Sequence, residues 1–98
     1  DVALLPSGKK SPGLTFYYVT KSIIEEDGNV KEFVIKQTTI DCFEIDYVSE
    51  RELNVEQIQK IEKAIALYLE PHLHFTFSKK ESLERTNRGK LKQFSSLL

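Results

Sequence analysis

The residues best suited to chemistry lie near the end of this 98-residue chain, in Leu83-Glu84-Arg85-Thr86-Asn87-Arg88-Gly89-Lys90-Leu91-Lys92-Gln93-Phe94. A glycine lets the backbone take positive φ or come close to a ligand, so Gly89 can aim the side chain that follows it. Lys90 then offers a compact ammonium on a four-carbon stem, suited to reaching phosphate or a developing oxyanion. Arg85, Arg88 and Lys92 add positive charge around it. The same residues also fit a solvated basic loop without a ligand.

Other candidate groups carry weaker chemistry. Glu44 and Asp46 are paired carboxylates, but they alternate with Phe43, Ile45 and Tyr47 and so fall on the solvent face of a strand, where no enclosing pocket for acid–base work is implied. His72 and His74 form a His-x-His pair, yet tetrahedral zinc needs further ligands; Cys42 is the one other soft ligand and there is no third histidine, so no metal site is expected. Gly8-Lys9-Lys10-Ser11 invites a phosphate-loop reading, but the wider glycine-to-lysine spacing of a Walker loop is missing.

These groups sit in an ordinary globular frame. Apolar residues are 40% of the chain and charged residues 30%, and a chain of this length makes one domain with one modest core. A net charge of −1 gives no overall attraction to nucleic acid or to an anionic membrane. The charge is uneven, with acidic residues concentrated over 25–56 and basic ones over 79–92. A single cysteine excludes an intrachain disulfide and points to a reduced, cytoplasmic protein. No apolar run approaches the roughly 20 residues of a membrane span. The chain opens at Asp1 and has no methionine anywhere, which reads as a piece excised from a longer protein.

The elements that must position the lysine segment follow from pattern. Val2–Leu5 is a short apolar strand or hinge segment, and Pro6–Gly13 is a turn cluster. Over Leu14–Ile24, residue types favour a strand, but Phe16, Val19, Thr20, Ile23 and Ile24 share a helical face and Pro12 suits a first helical turn, so a helix is expected. Glu26–Asn29 is a turn. Val30–Thr38 and Ile40–Val48 read as an antiparallel pair, with Phe33 and Ile35 matching Phe43, Ile45 and Tyr47, and with Lys36 facing the acidic side chains. Asn54 and Gln57 form a capping box, followed by an apolar stripe of Val55, Ile58, Ile61, Ile65, Tyr68 and Leu69 that Pro71 ends. Leu73, Phe75 and Phe77 alternate inward in a strand, Ser78–Leu83 is a polar linker, and Phe94, Leu97 and Leu98 pack a tail onto the body. The fold class is α+β: a small sheet with an antiparallel strand pair and two main helices.

Arg85-Thr86-x-x-Gly89-Lys90-Leu91-Lys92 resembles the C-terminal lysine motif of adenylate-forming enzymes, in which Arg-Thr or Lys-Thr precedes Ser-Gly-Lys; Arg88 stands here where the family has serine. The order turn–helix–strand–strand–helix–strand–lysine loop is similar to the C-terminal domain of the acyl-CoA synthetase superfamily. More narrowly it resembles the phenylacetate–CoA ligases and their relatives in capsular polysaccharide biosynthesis. The resemblance covers essentially residues 1–98. It implies the single mobile lid of a larger ligase, whose large N-terminal domain binds ATP with Mg2+ and a carboxylic acid, an aryl acid in the nearest group. By the same resemblance Lys90 is the catalytic residue of adenylation, supported by Arg85, Thr86 and Gly89. Asp1 is the hinge acid or its neighbour, and the loop of Gly8 and Lys9 lines the channel for coenzyme A during thioester formation. The fragment alone is expected to be inactive and to hold no cofactor.

A second reading is a non-enzymatic α+β module whose basic C-terminal end meets RNA or another acidic partner. RNA recognition stacks bases on exposed aromatic rings. The strand aromatics here alternate with the polar face and are expected to be buried, which ranks this reading below the first and implies no nucleic-acid partner.

Overall fold

The structure, a computed structural model, describes residues 1–26 and 29–98. Eight elements follow one another: β1 (Val2–Leu4), β2 (Lys10–Pro12), α1 (Gly13–Glu25), β3 (Val30–Gln37), β4 (Cys42–Ser49), α2 (Val55–Tyr68), β5 (His74–Lys80) and β6 (Phe94–Ser96). The chain is α+β, as expected. β1 and β2 form a small antiparallel hairpin, and the other four strands make a mixed sheet in the order β5-β4-β3-β6. β3 and β4 pair antiparallel, whereas β6 joins β3 and β5 joins β4 in parallel. The parallel β4–β5 pair requires a crossover, and α2 provides it.

Period-2 alternation sorts the sheet into two faces. Phe33 pairs with Tyr47 and Ile35 with Ile45, so the expected inner positions match, and Gln37 pairs with Phe43. These residues point to the helical layer, where Phe16, Ile24, Ile61 and Ile65 meet them as fully or nearly fully buried side chains. α1 packs beside β3 and β6, and α2 beside β5, with the two helices in contact. Gln37 is fully buried. Its Nε2 donates to the Leu4 carbonyl at 2.6 Å and its Oε1 accepts from the Leu4 N–H at 3.2 Å, which fastens the β1–β2 hairpin to the sheet. On the outer face Lys36 lies across from Glu44, as expected, while its ammonium leans diagonally to Asp46 at 3.5 Å.

The Asn54 capping box forms as expected, with Asn54 Oδ1 accepting from Gln57 N–H and Gln57 Oε1 accepting from Asn54 N–H, both at 2.8 Å. Several expectations need correction. The turn cluster is shorter than Pro6–Gly13, because Lys10–Pro12 pairs with β1; Pro12 is therefore the residue before α1 rather than part of its first turn. The α2 stripe narrows to Ile61 and Ile65, flanked by half-buried Ile58 and Leu69. Val55 and Tyr68 are 70% and 68% exposed because they occupy the helix ends, past the reach of α1 and the sheet. On α1 the buried face adds Tyr17, and Val19 moves to its margin. Ser78–Lys80 continues β5 instead of opening a linker. Phe94 is buried as expected but within a sixth strand, whereas Leu97 and Leu98 are exposed. The turn read over Glu26–Asn29 has its centre, Asp27 and Gly28, outside the described residues.

Two stability predictions follow from this packing. A Cβ on Gly13 would lie 2.6 Å from the Asp1 carbonyl oxygen and 2.7 Å from Phe94 Cδ1. Gly13→Ala should therefore lower stability by about 1–3 kcal/mol in urea unfolding, and an unchanged midpoint would show that the N-terminal end and β6 do not close on α1. Burial, with the neighbouring Tyr18 phenol adding to it, pushes the Tyr17 phenol above the ordinary tyrosine range. A raised folded-state pKa leaves stability intact below the ordinary tyrosine value and removes it as pH rises through the folded-state one. The melting temperature should accordingly fall on the alkaline limb, and Tyr17→Phe should flatten part of that fall.

Candidate functional site

Lys90 is carried on a tight hairpin-type turn. Gly89 N–H donates to the Thr86 carbonyl at 2.9 Å and Thr86 N–H donates to the Lys90 carbonyl at 2.8 Å, closing Thr86-Asn87-Arg88-Gly89-Lys90 into a small loop. This is a type I turn followed by a left-handed residue, which glycine accommodates most easily. Gly89 has φ +76°, one of the two freedoms expected of a glycine at this place. The Thr86 hydroxyl accepts from Lys90 N–H at 3.2 Å, so the motif threonine holds the lysine's own backbone. Arg85 moors the loop to the sheet, its Nη2 lying 2.6 Å from Glu32 Oε2 and its Nη1 donating to the Gly89 carbonyl at 3.4 Å. Lys90 and Arg88 are exposed and make no ion pair with a described residue. The backbone is thus held while the ammonium stays free, an arrangement that can deliver a cation to an anionic oxygen.

The other expected site residues lie elsewhere. Gly8 and Lys9 occupy a turn of the same construction: Gly8 N–H donates to the Leu5 carbonyl and Leu5 N–H to the Lys9 carbonyl, both at 2.8 Å, with Gly8 at φ +88°. Pro6 takes the second position of this turn, where its fixed φ is an advantage. The Ser7 hydroxyl donates to Glu70 at 2.6 Å, placing this turn at the end of the sheet where β5 begins. The Lys90 loop is moored at Glu32, at the opposite end, where β3 begins. The two Gly-Lys turns are therefore not brought together. Asp1 joins neither; its carboxylate accepts from Ser96 N–H at 2.9 Å and meets the Lys92 ammonium at 3.5 Å, bracing β6 from its outer side.

Between the lysine segment and the outer face of the sheet lies an open groove of about 440 Å³, lined among others by Val34, Lys36, Asp46, Lys80, Leu83 and Lys92. Lysines and acids are mixed there, and two of the lysines are engaged by Asp46 and Asp1. Glu44 is exposed on the same face without shaping a pocket. His74 points outward beside the start of β4, and His72, also exposed, takes φ 70° in the α2–β5 connection. Cys42 is half-buried, with its thiol 3.5 Å from Asp41 Oδ1. The Thr39 hydroxyl and then that thiol hold the Asp41 carboxyl below its usual range. The sheet aromatics Phe33, Phe43, Tyr47 and Phe94 are buried against the helices, so the outer face offers no stacking platform from them.

Glu32 is the member of this site that sequence reasoning missed. It stands 53 positions from Arg85, and nothing in its neighbourhood marks it apart from its place on the polar face of β3. A Cβ on Gly89 meets nothing within 4 Å, so Gly89→Ala is opposed by backbone conformation alone. The left-handed region costs a residue with a side chain about 1–2 kcal/mol. The variant should stay folded while hydrogen exchange at the Thr86 and Gly89 amides speeds up by roughly tenfold; unchanged exchange would show that the turn is not what holds Lys90.

No protein-family model matches the chain, and no curated protein matches its sequence.

Proposed function

We propose that this chain is the mobile C-terminal lid domain of an ATP-dependent carboxylate-activating ligase of the phenylacetate–CoA ligase kind, with Lys90 acting on the reacting groups. The observation that carries the reading is the Lys90 turn: a backbone fixed by Gly89, Thr86 and the Arg85–Glu32 pair, and an ammonium that makes no ion pair with a described residue. Acyl-adenylate formation needs such a group. A carboxylate oxygen attacks the α-phosphorus, the bond to pyrophosphate breaks, and negative charge gathers on both sides of the reacting centre. A cation already oriented there lowers the barrier without reorganising at the moment of reaction.

The geometry fits a donor of charge rather than a complete active site. The outer groove is lined by residues other than Lys90, so Lys90 serves a reaction held in another domain. In this reading the large N-terminal domain holds ATP, its Mg2+ and the acid, and the lid swings Lys90 onto them. A hinge at Asp1 then turns the lid, exchanging the end of the sheet that carries Lys90 for the end that carries Gly8 and Lys9. Coenzyme A is the acceptor in that second state.

The test is carboxylate-dependent ATP–pyrophosphate exchange by the protein that contains this chain, over a panel of aryl and alkyl acids. Lys90→Ala should lower exchange about 100-fold to 1,000-fold, the range for losing one preorganised charge contact, with melting temperature unchanged because the side chain is exposed. Equal exchange in both proteins would remove Lys90 from the chemistry, and no exchange with any acid would remove the ligase reading.

A further inference from the structure

We infer that the free edge of β5 pairs antiparallel with β5 of a second copy of this chain, about a two-fold axis at Phe77. β5 is the terminal strand of its sheet, and beyond β4 its main chain is bonded by no described residue except at its first amide. That amide fixes the phase of the edge. His74 N–H donates to the Asp41 carbonyl at 2.8 Å, on the β4 side. Backbone groups alternate along a strand, so Thr76, Ser78 and Lys80 also turn theirs to β4, while Phe75, Phe77 and Lys79 turn theirs outward. A two-fold axis at Phe77 pairs Phe77 with the partner's Phe77, and Phe75 with the partner's Lys79 twice over. All three outward residues are then matched; a register shifted by two positions leaves one of them unpaired.

Charge agrees with this register. Two lysines near the end of an edge strand ordinarily repel an added strand. About Phe77, however, Lys79 falls opposite the partner's Phe75 and Lys80 opposite the partner's His74, so no lysine faces a lysine. Thr76 meets the partner's Ser78, a favourable cross-strand polar pair. Phe75 and Phe77 are half-buried at the edge, and a neighbouring strand covers them.

The seven residues of β5 are fewer than the roughly 20–30 residues a side of a standard interface, so the association belongs to the weak class.

The test is sedimentation velocity of the 98-residue chain from about 10 µM to 1 mM, the range that reads micromolar association, run beside His74→Glu and His74→Lys. The His74 side chain is exposed on the outer face, so neither change touches the core. His74→Glu places two carboxylates opposite the partner's lysines and should tighten the dimer roughly threefold to tenfold; His74→Lys should weaken it by a similar factor. Amide exchange should slow with concentration at residues 75, 77 and 79, and stay constant at 74, 76, 78 and 80, which β4 already holds. A monomer throughout, a dimer indifferent to both substitutions, or protection at other amides would each overturn the inference.

Discussion

Five phenylalanine rings in contact run across this domain, and most of its architecture depends on them. Phe94 on β6 packs against Phe16 of α1 with ring centroids 5.6 Å apart, Phe16 stacks on Phe43 of β4 at 4.8 Å, Phe43 stacks on Phe75 of β5 at 5.3 Å, and Phe75 meets Phe77 at 6.3 Å. Each such pair contributes about 0.5–1.5 kcal/mol beyond the area it buries. The series spans the sheet from edge to edge and binds α1 to strands that are remote in sequence. Tyr17 stacked on Phe33 at 4.7 Å adds β3 to the same layer.

Because apolar rings take one face of the sheet, the other is left to charge. Lys36 with Asp46, Arg85 with Glu32, and Lys92 with Asp1 all lie on that side or at its rim. Exposed pairs of this kind contribute little to stability, commonly under about 1 kcal/mol. Their value is geometric: the Arg85 and Lys92 pairs locate the 81–93 segment, which has few buried contacts of its own, while Lys36 with Asp46 ties β3 to β4. The Lys90 turn inherits its position from one of these pairs and its shape from Gly89.

The two Gly-Lys turns share one cause. Both close five residues with the same two backbone hydrogen bonds and a glycine at positive φ. A lysine after such a glycine is presented outward wherever the turn occurs, so the dipeptide reports turn chemistry first. What separates Lys90 from Lys9 is the mooring, Arg85 to Glu32 in one case and Ser7 to Glu70 in the other.

Local rules were enough for much of this chain. Alternation placed Phe43, Ile45 and Tyr47 inward, the Asn54–Gln57 box marked the start of α2, and Gly89 before Lys90 marked a place where positive φ was open to the loop, because each of these is decided within a few residues of backbone. Tertiary structure decided the rest. β6 is three residues long and carries no periodic signal; it is a strand because β3 offers a free edge and Phe16 a place for Phe94. Val55 and Tyr68 satisfy the helical pattern yet stay exposed, since a pattern identifies a face and only the neighbours determine how far along it burial extends. The Glu32–Arg85 contact joins two ordinary charged residues that nothing local relates. The turn that carries Lys90 was legible in the sequence; where it is held depends on long-range charge pairing, which a chain acquires only once it has folded.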